Sequence, residues 1–113
     1  SLMKDLKQST KQRFTAFEFE YPAAALEIAI LAGESGIDTV TAAQLVNVGA
    51  AARRLKGHGL DEGISTRLLV YAATLIRAGV SPREACRMAL VRPITDDRDI
   101  RDTLDHAIDA IFA

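Results

Sequence analysis

The stretch Gly59-Leu60-Asp61-Glu62-Gly63-Ile64-Ser65-Thr66-Arg67 decides how the chain is read. Two glycines and two hydroxyl residues lead to an arginine just where an apolar helical pattern begins with Leu68, Leu69, Ala72, Leu75 and Ile76. Arg67 therefore falls in a first helical turn. A cation there faces the positive end of the macrodipole, which costs a few tenths to about 1 kcal/mol when it has no anionic partner. The uncapped N–H groups of that turn point outward, so with Arg67 they make a place for a phosphate oxygen. The competing reading is a surface arginine, or one paired with Asp61 or Glu62.

Outward from this stretch the helical pattern dominates. After Pro22, which suits a first helical position, a helix over 23–34 places Leu26, Ala29, Ile30 and Gly33 on one face, with Gly36 near its end. A second, capped near Thr41, carries Leu45, Val48, Ala52 and Leu55 and stops at Gly57. Its last turn holds Arg53, Arg54 and Lys56, where cations complement the dipole. A third follows Ser65 and ends near Gly79. The fourth opens with Ser81 as cap, Pro82 in the first position and Glu84 placed to return a bond to the cap residue. Its inward residues are Ala85, Met88 and Ala89. The fifth is capped near Thr95 or Asp96 and aligns Ile100, Leu104, Ala107, Ile108 and Ile111 on one stripe. The expected fold is all-α, a bundle of about five helices.

One strand precedes it. Phe17, Phe19 and Tyr21 alternate with Glu18 and Glu20 over 14–21, and nothing later offers this strand a partner. A lone strand leaves its backbone groups unpaired, so it belongs with a sheet outside this sequence. The chain then reads as the C-terminal part of something larger, with 1–21 the end of an α/β core and 22–113 a helical domain.

Composition sets limits. At 113 residues the chain is one domain by size. A formal charge of −1 and the lack of a broad basic patch argue against a nucleic-acid binder. A helix-turn-helix over the third and fourth helices would put Pro82 and Glu84 where base edges should be met, which argues against it. The apolar run over 23–32 is interrupted by Glu27 and too short to span a bilayer, and no secretory signal opens the chain. A single cysteine, Cys86, excludes an internal disulfide and reads as a buried structural thiol in a reducing, cytoplasmic setting. His58 and His106 join no cluster with metal-ligand spacing, and Asp96, Asp97, Asp99, Asp102, Asp105 and Asp109 fit a solvated helix face. No nucleophile with a base at a recognisable spacing and no glycine-rich phosphate loop are present.

Four blocks together carry a family resemblance. They are Leu6-Lys7-Gln8-Ser9-Thr10-Lys11-Gln12-Arg13-Phe14, Glu18-Phe19-Glu20-Tyr21-Pro22, Leu55-Lys56-Gly57-His58-Gly59-Leu60 and Gly63-Ile64-Ser65-Thr66-Arg67-Leu68-Leu69-Val70-Tyr71-Ala72. From about Lys4 onward the chain resembles the C-terminal region of the CbbQ/NirQ/NorQ ATPases, in the MoxR branch of the AAA+ class. Lys11 stands where arginine is more usual, and Ile64 where a smaller residue is common. Neither departure removes a functional group.

The resemblance implies that the bundle is the lid that follows a nucleotide-binding α/β core, and that 14–21 is that core's last strand. An arginine opening a lid helix, the sensor 2 residue, reaches the nucleotide phosphates in such proteins. That role maps onto Arg67, with Ser65 and Thr66 beside it as nucleotide-binding candidates. Arg13 looks like the arginine finger presented to a neighbouring subunit, the competing reading being a strand-end salt bridge with Glu18 or Glu20. ATP and magnesium are the implied cofactors of the whole protein, with none expected on this segment alone. The implied partners are five further copies in a hexamer, a von Willebrand A-type protein and a target enzyme such as Rubisco or nitric oxide reductase. The alternative is a free-standing helical module that binds a partner protein through an apolar groove. A phosphate-binding loop upstream of Ser1 would separate the two.

Overall fold

A computed structural model describes residues 21–55 and 63–113. Among them are five helices: α1 (Ala24–Ser35), α2 (Thr39–Arg53), α3 (Thr66–Arg77), α4 (Pro82–Cys86) and α5 (Arg98–Ile111), with a π-helical turn, Arg87–Val91, continuing α4. The expected strand, save Tyr21, lies outside the described residues, as do Arg13, His58 and most of the glycine-rich stretch before Gly63. Helix α1 packs on α2 and α3, α2 also on α3 and α5, and the α4 segment bridges α3 and α5.

Several of the boundaries have a local cause. Gly36 ends α1 in the left-handed region at φ 81°, where its N–H bonds Ala32 O, a conformation that a side chain would strain. Asp38, not Thr41, caps α2: its carboxylate accepts from Thr41 N–H at 3.0 Å and from Thr41 Oγ1 at 2.7 Å. The threonine that resembled a cap is the donor to one, so α2 starts three residues earlier. Helix α2 ends at Arg53, short of Gly57. Asp97 likewise caps α5 by accepting from Ile100 N–H at 3.1 Å, while Thr95 Oγ1 accepts from Asp97 N–H at 3.0 Å. Ser81 caps α4 as expected, with Pro82 in the first turn, but the Glu84 carboxylate reaches Arg92 Nη2 at 3.5 Å.

The core is aliphatic and its largest fully buried members come from every layer: Leu31, Leu45, Leu69, Leu90, Leu104 and Ile108. The stripe on α5 is as expected, centred on Leu104 and Ile108 with Ile100 and Ile111 at its margins. The π-helical turn was not legible, and its effect is on which side chains point inward. Arg92 N–H bonds Arg87 O, five residues back, so the widened turn lets Ala89, Leu90 and Val91 all be buried in succession. A regular α-helix turns consecutive side chains about 100° apart and could not bury all three on one face.

The first helix departs most from the periodic reading. Leu26 is 56% exposed and Ala29 and Gly33 are also exposed, whereas Glu27 and Leu31 are both fully buried. The inward face of α1 is centred on a carboxylate. Arg53, in the last turn of α2, grips it with both terminal nitrogens, Nη1 to Oε1 at 2.8 Å and Nη2 to Oε2 at 2.7 Å. Arg53 is thus no solvated dipole cation, and its side chain is only 12% exposed. Burial opposes ionisation of Glu27, but hydrogen bonds from Arg53 and Thr66 and the Arg53 charge outweigh it and hold the carboxyl below its ordinary value.

Two measurements check this packing. Burial pushes the Cys86 thiol up to about 12 from 9.0, so at pH 8 a thiol reagent should label the native chain about a thousandfold more slowly than the denatured one. Fast labelling would mean that Cys86 is not in the core. Because the folded Glu27 carboxyl lies below its ordinary value of 4.5, its contribution is complete above that pH and is lost as pH falls through the lower folded value. Glu27→Gln leaves a largely buried arginine without its counter-charge and should cost about 3 kcal/mol at pH 7 in urea unfolding. It should also flatten the acid limb of stability below pH 4.5.

Candidate functional site

The start of α3 is assembled by three segments distant in sequence. Ile64, just before it, is fully buried, and its carbonyl accepts from Arg53 Nε at 2.9 Å. The Ile64 side chain therefore anchors the entry to the helix. Ser65 then caps: in extended conformation its Oγ accepts from Leu68 N–H at 3.2 Å, and its carbonyl takes the first helical bond from Leu69. One first-turn N–H expected to be open is thus satisfied, while those of Thr66 and Arg67 have no acceptor within the helix.

Thr66 is turned inward, its Oγ1 donating to Glu27 Oε2 at 2.6 Å. Its hydroxyl proton is directed at α1. Arg67, the next residue, is exposed, no acidic residue shares its first turn, and among the described residues it forms no hydrogen bond or ion pair. Pairing with Asp61 or Glu62 lies outside the described residues. The Tyr21 ring lies over the Arg53 guanidinium at 3.7 Å, so the segment leading into α1 touches the same cluster. A Cβ on Gly63 would meet the Tyr21 hydroxyl, so a side chain there would have to displace the tip of that tyrosine from its place over Arg53.

Of the expected site residues, Ser65, Thr66 and Arg67 thus share one helix start with three different roles: cap, internal donor and outward cation. Glu27 and Arg53 were missed as members of this cluster. The available signal was a lone carboxylate inside the apolar run 23–32, and an arginine whose spacing from Leu45, Val48 and Ala52 leaves it near the buried face.

A second charged feature lies between the π-helical turn and α5, where a depression of about 230 Å³ is lined by Arg87, Arg92, Arg98 and Arg101 together with Asp102 and Asp105. Part of its charge is internally compensated: Arg87 meets Asp105 at 3.4 Å and Asp109 at 3.3 Å. The aspartates of α5 form a mostly exposed face, on which Asp105 and Asp109 are ion-paired. Among the described residues no three His, Cys, Asp or Glu side chains are grouped to hold a metal, and no helix is long and apolar enough to cross a membrane.

Comparison with known sequences places this geometry in a family. The family described as CbbQ/NirQ/NorQ C-terminal matches residues 27–111. The chain is 60% identical to protein CbbQ of Hydrogenophilus thermoluteolus over 113 residues, which are all of this chain and 42% of that protein. It is 56% identical over 97 residues to the denitrification regulatory protein NirQ of Pseudomonas aeruginosa, covering 86% of this chain and 37% of the relative. With protein NorQ of Paracoccus denitrificans it shares 45% identity over 112 residues, or 99% of this chain and 42% of the relative. The chain therefore spans about two fifths of the length of these relatives, and it belongs to the CbbQ/NirQ/NorQ family as a C-terminal region.

Proposed function

We propose that this chain is the C-terminal lid of an AAA+ ATPase and that Arg67 is its sensor of nucleotide phosphates. The observation that carries the reading is the exposed guanidinium at the start of α3, unpaired among the described residues and set beside two first-turn N–H groups. Such a group has its charge available to a phosphate, and the helix end adds to the attraction. ATP held by the core would draw the lid inward as Arg67 neutralises phosphate charge, and hydrolysis would release that contact and let the lid rotate.

In this reading the whole protein is a cytoplasmic homo-hexamer that hydrolyses ATP with magnesium. Arg13 serves as the finger that reaches the neighbouring subunit's nucleotide. Working with a von Willebrand A-type partner, the hexamer remodels and activates a metabolic enzyme of the Rubisco or nitric oxide reductase class. The family membership and the relatives named for CbbQ, NirQ and NorQ support this assignment. The lid segment alone supplies one arginine and one helix end, too little of a phosphate site for tight binding. Ser65 and Thr66 contribute to the site by shaping the helix start, since both hydroxyls are engaged within the bundle.

Arg67→Ala in the full-length protein should lower ATP turnover about a hundredfold or more, with the circular dichroism of the bundle unchanged. Turnover within a few fold of the parent would remove the sensor role. Arg13→Ala should lower kcat without weakening nucleotide binding to its own subunit, a difference that titration calorimetry of the parent and variant resolves.

A further inference from the structure

A bidentate arginine–carboxylate pair can hold two helices together without involving a third. Here the pair does more, because Glu27 Oε2 also accepts the hydroxyl proton of Thr66 at 2.6 Å. Thr66 is the first residue of α3 and Arg67 the second. Consecutive side chains on a helix diverge by about 100°, so fixing Thr66 on the α1 side fixes the direction in which Arg67 leaves the helix. The same cluster holds the approach to α3, since Arg53 Nε binds the Ile64 carbonyl at 2.9 Å.

The charges are arranged to the same end. Glu27 is a carboxylate one residue away from Arg67 through Thr66, and a free carboxylate there would compete with a phosphate for the Arg67 guanidinium. Arg53 occupies both of its oxygens and Thr66 takes a further lone pair. The carboxylate is fully buried and its hydrogen bonds are directed to groups other than Arg67. The side chain intended for an outside anion is thereby left without an internal one.

We infer that Thr66, held by the Arg53-paired carboxylate of Glu27, is a positioning residue that sets the direction of Arg67 toward nucleotide, so that the hydrogen bond between α1 and α3 tunes nucleotide affinity. This rests on the sensing role proposed for Arg67. It goes beyond that role by assigning Thr66, Glu27 and Arg53 to nucleotide response instead of to packing alone.

The test uses the full-length protein and steady-state ATP hydrolysis. Thr66→Val keeps the shape and removes the donor, and should raise KM for ATP about tenfold, the scale of one hydrogen bond, while Thr66→Ser restores the parent value. Thr66→Ala serves as a second variant should valine against the carboxylate prevent folding. In an Arg67→Ala background the Thr66→Val change should have no further effect on KM, because its action runs through the guanidinium. Loss of thermal stability with KM within twofold of the parent in folded Thr66→Val or Thr66→Ala would reduce the bond to a packing role and overturn the inference. So would a KM effect that persists undiminished in the Arg67→Ala background. A strong Arg67→Ala defect with silent Thr66 variants would sink this inference and leave the sensor role standing, whereas a silent Arg67→Ala would remove both.

Discussion

The bundle is organised around one carboxylate taken out of water. Glu27 is fully buried in an otherwise aliphatic interior, and it is accommodated only because Arg53 grips it with two short hydrogen bonds and Thr66 adds a third. An ionised group in such a place demands partners with fixed geometry, unlike a leucine, which accepts any neighbour of suitable volume. Helices α1, α2 and α3 each provide one member of this cluster, so their relative rotation is set by directional bonds. The aliphatic core supplies the bulk of burial around it, but it does not by itself fix the register of these three helices.

The functional end of the molecule follows from that arrangement. Ile64 anchors the entry to α3, Ser65 caps the helix, Thr66 faces the interior and Arg67 faces out. Four consecutive residues therefore have four distinct jobs. Each of these positions answers to a different physical constraint.

Helix number, the inward stripe of α5, the buried cysteine and the start of α3 were all legible in the sequence, because each rests on local periodicity or on a cap close to the residues it serves. The inward face of α1 was misread because apolar spacing is blind to a buried ion pair: Leu26 fitted the stripe and is exposed, while Glu27 interrupted it and is the centre. Arg53 was misread for the same reason, since its partner is 26 residues away. The cap of α2 was displaced because Thr41 and Asp38 are both good capping types and the aspartate prevails by placing a carboxylate under the first N–H groups. The π-helical turn left no trace that periodicity could register, because one widened turn alters the spacing of too few residues to stand out from a regular helix.

The last helix is tied down differently from the first three. Among its residues Leu104 and Ile108 are fully buried and Gln44 Nε2 on α2 donates to the Ile111 carbonyl at 3.2 Å, while its ion pairs, Arg83 to Asp109 and Arg87 to Asp105 and Asp109, are partly exposed where salt weakens them. The polar ties of this helix are therefore exposed to ionic strength in a way that the buried Glu27–Arg53 pair is not, so added salt bears on the α5 side of the bundle before it reaches the head of α3.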